Sequence, residues 1–170
     1  QMREAYMTTS HVESFVITDP YLTIVKNARN QSPLQQPFPV RVLVQAHGLN
    51  NTTVATNITV LEMLPLYTNY VPGSSTKPVW VSKDGQGRTR LQWNISKMNA
   101  SESWNVTYEI YGNRPGLKSI AVIPPSGVNY TSNSTPKGIS MPDVKVLFVE
   151  LPLSVRITSP AGFAIWRIMT

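Results

Sequence analysis

Residues 103–111 read SWNVTYEIY, and this stretch decides the fold class. Every second residue is apolar, in the order Trp104, Val106, Tyr108 and Ile110. Polar residues fill the positions between them. A two-residue period places the two sets on opposite faces of an extended chain. The stretch therefore predicts a half-buried β-strand with one apolar face.

The same alternation recurs in short runs along the chain. In 88–95 the apolar set is Leu91, Trp93 and Ile95. The 14 Pro residues are spread throughout and interrupt any long helix. We therefore predict an all-β chain with an Ig-like or pilin-like β-sandwich. The predicted strands are 12–18, 21–26, 39–46, 54–61, 78–82, 88–95, 103–111, 117–123, 144–151, 153–158 and 162–169.

The composition excludes several classes of protein. The 170 residues include 15 Lys and Arg, 9 Asp and Glu, 2 His and no Cys, for a net charge of +6. Without Cys, disulfides and thiolate metal sites are excluded. No apolar run reaches about 18 residues, so no transmembrane segment is expected. The basic residues are scattered apart from Arg88 and Arg90, and no nucleic-acid-binding motif is present, so nucleic acid is not an expected partner.

The small number of acidic groups bears on acid tolerance. Acid unfolds proteins largely by protonating carboxylates that are paired in the native state. This chain has only 9 carboxylate side chains. Two interpretations stay open. The protein functions in an acidic exterior, or it is an ordinary secreted protein with a neutral surface.

Turn-forming stretches separate the predicted strands. Asp84-Gly85, within 83–87, predicts a hairpin turn between two strands. Residues 124–143 are rich in Pro, Ser and Gly and predict a long polar surface loop, with a functional insertion as the alternative. Residues 27–38 predict a second loop.

Asn-x-Ser/Thr triplets are far more frequent than composition explains. Nine of the 12 Asn residues begin one, against about two expected by chance. Each predicts a covalent N-glycan at the surface of an exported protein. Asn50 and Asn51 overlap, so we expect one of them to carry sugar, and a Pro just beyond Asn30 and Asn133 is expected to lower their occupancy. The nine are Asn30, Asn50, Asn51, Asn57, Asn94, Asn99, Asn105, Asn129 and Asn133.

The sequence offers no catalytic constellation. His11 and His47 are far apart and have no metal-ligand spacing. No Ser lies in a Gly-x-Ser-x-Gly context, and no local pair of carboxylates suggests a glycosidase dyad. We expect no enzyme activity, no cofactor and no metal.

Residues 1–18 predict an amino-terminal donor-strand arm, and residues 19–170 a sandwich domain. Fully extended, the arm would reach about 60 Å, longer than a sandwich is tall. Such an arm can add as a strand to an open sheet edge of another copy, a head-to-tail contact that generates a filament. An ordinary first strand paired within its own domain is the alternative. The apolar side chains of the arm are Met2, Tyr6, Met7, Val12, Phe15 and Ile17.

Residues 44–111 resemble the repeat of bacterial and archaeal surface β-sandwiches. The polar turn at Asn50-Asn51 leads into Ala55-Thr56-Asn57-Ile58-Thr59-Val60, a Leu64-Pro65 corner and the segment 70–74. Two strands with Trp residues follow, in the order that the repeat has. Glu62 and Met63 stand where the repeat usually has Asp before its Leu-Pro.

The whole chain resembles the subunit of the archaeal thread, an extracellular filament of Sulfolobus-type cells. The shared features are an all-β chain of pilin size that lacks Cys, is dense in glycosylation triplets and has a strand-like arm. The resemblance implies a homopolymer linked by donor strands at the cell surface, with a role in adhesion to cells or surfaces and in biofilms. The alternative is a secreted surface domain that does not polymerise, either an S-layer module or a carbohydrate-binding adhesin. In the adhesin, exposed Tyr67, Tyr70 or Tyr130 would stack on sugar, but packing in the core or in a loop is the favoured interpretation of each.

Overall fold

The computed structural model describes residues 20–49, 52–120 and 125–151. These residues form strands and no helix, which confirms the all-β prediction. The strands are β1 (Tyr21–Ala28), β2 (Gln31–Pro33), β3 (Phe38–His47), β4 (Thr53–Met63), β5 (Thr68–Tyr70), β6 (Trp80–Lys83), β7 (Thr89–Asn99), β8 (Ser103–Gly112), β9 (Gly116–Ile120), β10 (Gly127–Ser132), β11 (Thr135–Ser140) and β12 (Val144–Val149).

The strands form three sheets. One has four strands in the order β1-β3-β8-β5, one has five in the order β11-β10-β4-β7-β6, and a small one has three in the order β2-β12-β9. β2 runs parallel to β12, and the other described pairs are antiparallel. β1 and β3 contact β4 across the interior, and β1 also contacts β11 and β12. The fold is a β-sandwich.

The core is built from the apolar phases of the facing strands. On β8, Val106, Tyr108 and Ile110 are fully buried, as the alternation in 103–111 predicts. Trp93 of β7 packs against Tyr108 with ring centroids 5.4 Å apart. Each strand places its apolar side chains on the inward face of its sheet. Burial of that face fixes the register in which the strands pair.

The predicted loop at 124–143 is wrong over most of its length. β10 and β11 form a hairpin within it, and β10 also pairs with β4. The two-residue turn, Asn133 and Ser134, has φ values of 48° and 61°. Positive φ at both positions matches the turn that joins twisted antiparallel strands. Val128 and Tyr130 are buried, so this hairpin contributes to the core.

The second predicted loop, 27–38, is wrong in part. It contains the short strand β2, which lies in the three-stranded sheet. The short strand β5 was not predicted at all. The hairpin turn at 83–87 is confirmed, since the N–H of Gly87 donates to the carbonyl of Asp84 at 3.0 Å. The predicted strands 12–18, 153–158 and 162–169 lie outside the described residues.

Candidate assembly edge and glycan-acceptor surface

Most acceptor Asn residues that the structure describes are at the surface. Asn99, near the end of β7, is half-buried, and its Nδ2 donates to Oε1 of Glu102 at 3.2 Å. Asn50 and Asn51 lie outside the described residues. The exposed acceptors are Asn30, Asn57, Asn94, Asn105, Asn129 and Asn133.

The outer face of the five-stranded sheet carries the densest group of acceptors. Asn129 on β10 pairs with Thr59 on β4, and Thr59 pairs with Asn94 on β7. Directly paired residues project to the same face, so the three side chains form one row. Strand spacing places Asn94 and Asn129 roughly 10 Å apart. Asn57, two residues before Thr59, is exposed and has a φ of 51°, a region that Asn tolerates.

β1 is an edge strand with a long unpaired side. Its 8 residues all pair with β3, and no described residue pairs with its other side. The strand has no Pro, and its one charged residue, Lys26, points inward and is buried. Tyr21 and Val25 are 49% and 43% exposed. An edge that is long and uncharged at its surface is the kind that accepts another strand.

The start of β1 and the three-stranded sheet lie at opposite ends of the four-stranded sheet. Pro20 lies beside the turns that end β3 and β7, since a Cβ on Gly48 would lie 3.5 Å from the Cβ atoms of Pro20 and Ala100. At the far end, the N–H of Leu147 donates to the carbonyl of Asn30 at 2.8 Å. β1 separates these points and spans about 24 Å. Pro20 is therefore remote from the three-stranded sheet.

The three-stranded sheet offers a second, shorter edge. β9 has 5 residues and pairs with β12, and no described residue pairs with its other side. Leu117 and Leu147 are direct cross-strand partners and are 61% and 39% exposed. This apolar pair faces away from the core.

The residues predicted for the donor strand cannot be placed against these edges. The boundary between the predicted arm and the predicted domain also lies in the part that the structure leaves undescribed. These assignments stay predictions. The residues concerned are Met2, Tyr6, Met7, Val12, Phe15 and Ile17.

The Tyr residues that the adhesin alternative requires are mostly buried. Tyr70 and Tyr130 are 8% and 5% exposed, which agrees with the interpretation of both as packing residues rather than sugar contacts. Tyr67 is exposed, but the guanidinium of Arg114 lies 3.9 Å from its ring centroid. A cation already covers that ring face.

A charged cluster inside the sandwich was missed from the sequence. Lys26 of β1 donates from Nζ to Oε2 of Glu62 at 3.1 Å and to the carbonyl of Ile120 at 3.0 Å. The hydroxyl of Tyr108 also donates to Oε2 of Glu62. Oε1 of Glu62 lies 3.0 Å from the same Nζ, at ion-pair distance but without hydrogen-bond geometry. The cluster ties β1, β4, β8 and the end of β9 together.

Burial shifts the pKa values of Lys26 and Tyr108. Desolvation lowers the pKa of Lys26, and the charge and hydrogen bond of Glu62 oppose that shift, as does the more distant charge of Asp143. Burial also raises the pKa of Tyr108 well above its usual value, and the Glu62 charge and hydrogen bond raise it further. A signal was present in the sequence, because Glu62 falls on the same phase of its strand as Ile58 and Val60, both buried.

The described residues contain no group of three or more His, Cys, Asp or Glu that could hold a metal ion. His47 lies on the surface of the four-stranded sheet, where its Nε2 is 2.9 Å from Oγ1 of Thr23 and its ring stacks on Tyr21. His11 lies outside the described residues.

The described part of the chain also has no helix with the length and apolar character needed to cross a bilayer.

Comparisons with known proteins find solved structures of low similarity to this chain. No family model matches the chain, and no curated protein matches it. Among solved structures, a cohesin module from a Clostridium perfringens family 33 glycoside hydrolase is 12% identical with a TM-score of 0.42, over 78% of this chain and 98% of that one.

Two further similar structures belong to larger chains. A GH20 exo-β-N-acetylglucosaminidase from Vibrio harveyi is 10% identical with a TM-score of 0.36, over 87% of this chain and 20% of that one. A putative membrane-anchored protein from Corynebacterium diphtheriae is 13% identical with a TM-score of 0.38, over 85% of this chain and 40% of that one. The chain thus spans a fifth and two fifths of these two proteins.

Proposed function

We propose that this chain is the structural subunit of an extracellular, N-glycosylated cell-surface filament, with a role in adhesion rather than catalysis. Residues 1–18 of one copy add as a strand to the free edge of β1 in the next. The observation that carries the proposal is that edge, which has 8 residues, no Pro and its only charge turned inward. Main-chain hydrogen bonds would hold the added strand, and each apolar side chain that it buries would add about 1.5–3 kcal/mol.

The use of two different surfaces supports a head-to-tail arrangement. A contact between an arm and an edge uses two different surfaces, so it does not close on itself and propagates as a filament. Exposed acceptors on both large sheets support a sugar-coated exterior, with Asn94 on one and Asn105 on the other.

The test uses two full-length variants that each remove one half of the contact. Phe15→Asp with Ile17→Asp damages the arm, and Val25→Lys places a charge on the exposed side of the β1 edge. Each variant alone should elute as a monomer in size-exclusion chromatography and show no filaments by electron microscopy. Mixing the two should give a one-to-one dimer, because one variant keeps the acceptor edge and the other keeps the donor arm.

The matched control is Leu117→Lys, which places the same charge on the free edge of β9. That variant should polymerise normally. Filaments from Val25→Lys, or loss of filaments in the control, would refute the β1 edge as acceptor. Deleting residues 1–14 should likewise give monomers, and filaments of normal length from the deletion would refute the arm. A discrete low-mass species from the unmodified chain would favour the non-polymerising surface domain.

A further inference from the structure

Trp80 of β6 is the most exposed large apolar side chain among the described residues, at 72%. It pairs directly with Gln92 of β7 and therefore projects to the outer face of the five-stranded sheet. Leu91 and Trp93, on either side of Gln92, are buried, which fixes the outward direction of this phase. The described residues leave most of this indole exposed, so its ring faces are accessible to a contact.

Asn94 lies on the same face, two residues beyond the partner of Trp80. The two residues of a diagonal cross-strand pair of this kind lie about 7–8 Å apart, within reach of large side chains. Asn94 is exposed and begins the triplet Asn94-Ile95-Ser96. The first sugar of a glycan on Asn94 would therefore start within one ring width of the indole.

The hydrogen bonds of Asn94 are compatible with a sugar directed toward β6. Its Oδ1 accepts from Nε2 of Gln92 at 3.1 Å and lies 3.5 Å from Oγ1 of Thr59 on β4. N-glycosylation uses Nδ2, so both contacts can persist in the modified protein.

Other acceptors in mid-strand lack such a neighbour. Asn105 pairs with Leu43, and the diagonal residues on β3 are Arg41 and Gln45. Asn129 pairs with Thr59 and Gly138, and no aromatic side chain lies directly or diagonally across from it on the paired strands. Of Asn94, Asn105 and Asn129, only Asn94 has an exposed aromatic side chain diagonally across from it on a described paired strand.

We propose that Trp80 is a stacking platform for the first sugar of a glycan on Asn94. The apolar C–H face of a pyranose covers one face of the indole, and the sugar is held down on the sheet. Edge strand β6 is then shielded by carbohydrate rather than by protein. The inference rests on the proposed function in one respect, that Asn94 is glycosylated.

The test measures hydroxyl-radical oxidation of Trp80 by peptide mapping in full-length protein from the cells that produce it. Ser96→Ala removes the triplet and keeps Asn94, and Asn105→Gln removes a glycan from the other sheet as the matched control. In the same assembly state, Trp80 should oxidise about two to five times more slowly in the unmodified protein and in the control than in Ser96→Ala. Tyr67, at 43% exposure, serves as the internal reference and should not change.

Three outcomes would overturn the proposal. Equal oxidation rates with a glycan confirmed at Asn94 by mass would remove the stacking contact and leave glycosylation and polymerisation standing. Absence of a glycan at Asn94 would remove the ligand, again without bearing on filament formation. Protection of Trp80 that appears on polymerisation and persists in Ser96→Ala would assign the indole to a contact between subunits.

A second measurement avoids dependence on the footprint. Trp80→Ala should lower the Tm more in the glycosylated protein than in the Ser96→Ala background. Equal decreases in Tm in the two backgrounds would contradict the stacking contact. The truncation would then remove only the contacts that the indole makes with the unglycosylated protein.

Discussion

Lys26 and Glu62 form an ion pair between the two layers of the sandwich, with Nζ 3.0 Å from Oε1 and both side chains inaccessible to solvent. Removing two charges from water is costly, and their attraction offsets this cost only when both partners are present. The pair joins β1 to β4, and we expect it to fix how the two strands pack. This matters for assembly, since β1 is also the proposed acceptor edge.

Breaking the pair from one side should be strongly destabilising. Lys26→Met leaves the Glu62 carboxylate buried without its countercharge, and Glu62→Leu leaves the ammonium in the same condition. We expect each single variant to lose about 3–5 kcal/mol of unfolding free energy, measured by urea titration.

The double variant Lys26→Met with Glu62→Leu is the control for that prediction. It removes both charges and fills the space with apolar groups, so it should be more stable than either single variant. A double variant that loses the sum of the two single losses would show that the charges do not act on each other.

Tyr108→Phe should alter the alkaline limb of stability. The pKa of Tyr108 is raised by burial first and by Glu62 second, so the folded state keeps a proton that the unfolded chain releases above about pH 10. The contribution of this hydroxyl is thus complete below that pH and lost above it. The variant should lose about 1.5–3 kcal/mol at neutral pH, for a hydrogen bond to a charged group.

The slope of stability against pH between about 8 and 11 separates the two proteins. Lys26, with a lowered pKa, makes stability rise toward its usual titration range in both. Only the unmodified protein should then show the decline above about pH 10. Parallel curves would contradict the assignment of that decline to Tyr108.

Strands with strict alternation were predictable, and elements held by distant partners were not. The alternation within 103–111 identifies the buried face of that stretch, and β8 spans it. The hairpin of β10 and β11 could not be predicted in this way, because the sequence of β11, Thr-Pro-Lys-Gly-Ile-Ser, is typical of a loop. β10 is ordered by pairing with β4, more than 60 positions earlier in the chain. Local propensity carries no information on that pairing.

The candidate surfaces divide in the same way. Exposed positions for the acceptor Asn residues followed from the polar phase of each strand, as Asn94 and Asn105 show. The proximity of Trp80 to Asn94 could not be predicted from the sequence, because it depends on the register between β6 and β7. The free edge of β1 depends on the order of strands in its sheet, which a single sequence does not encode locally.

Asp84→Asn should weaken the β6–β7 hairpin in a pH-dependent way. Burial alone would raise the pKa of Asp84, but hydrogen bonds from the side chain of Arg88 and from the N–H groups of Arg88 and Gln86 lower it overall. A lowered pKa stabilises the fold above the usual carboxyl range, about pH 4, and that stabilisation is lost as pH falls further. The variant should therefore be less stable at neutral pH and converge with the unmodified protein in acid, measured by thermal melts. A constant difference at all pH values would contradict the role of the carboxylate charge.

Gly112→Ala should disturb the junction between the four-stranded and three-stranded sheets. A Cβ at Gly112 would lie 2.5 Å from Cδ1 and Cγ of Phe148, inside any tolerable contact. Phe148 is 1% exposed and its ring lies 6.0 Å from that of Phe38, so it has little room to move away. We expect a loss of about 1–3 kcal/mol, typical of overpacking.

Gly85→Ala is the matched control for this junction, because a Cβ there meets nothing within 4 Å and its φ is not in the left-handed region. That variant should stay within about 0.5 kcal/mol of the unmodified protein. Combining Gly112→Ala with Phe148→Leu should cost less than the sum of the two changes, since the smaller side chain leaves space for the methyl group. If the pair were additive, the clash would not involve Phe148. In that case the packing of Phe148 on β12 against Gly112 on β8 would not hold the three-stranded sheet against the end of the sandwich.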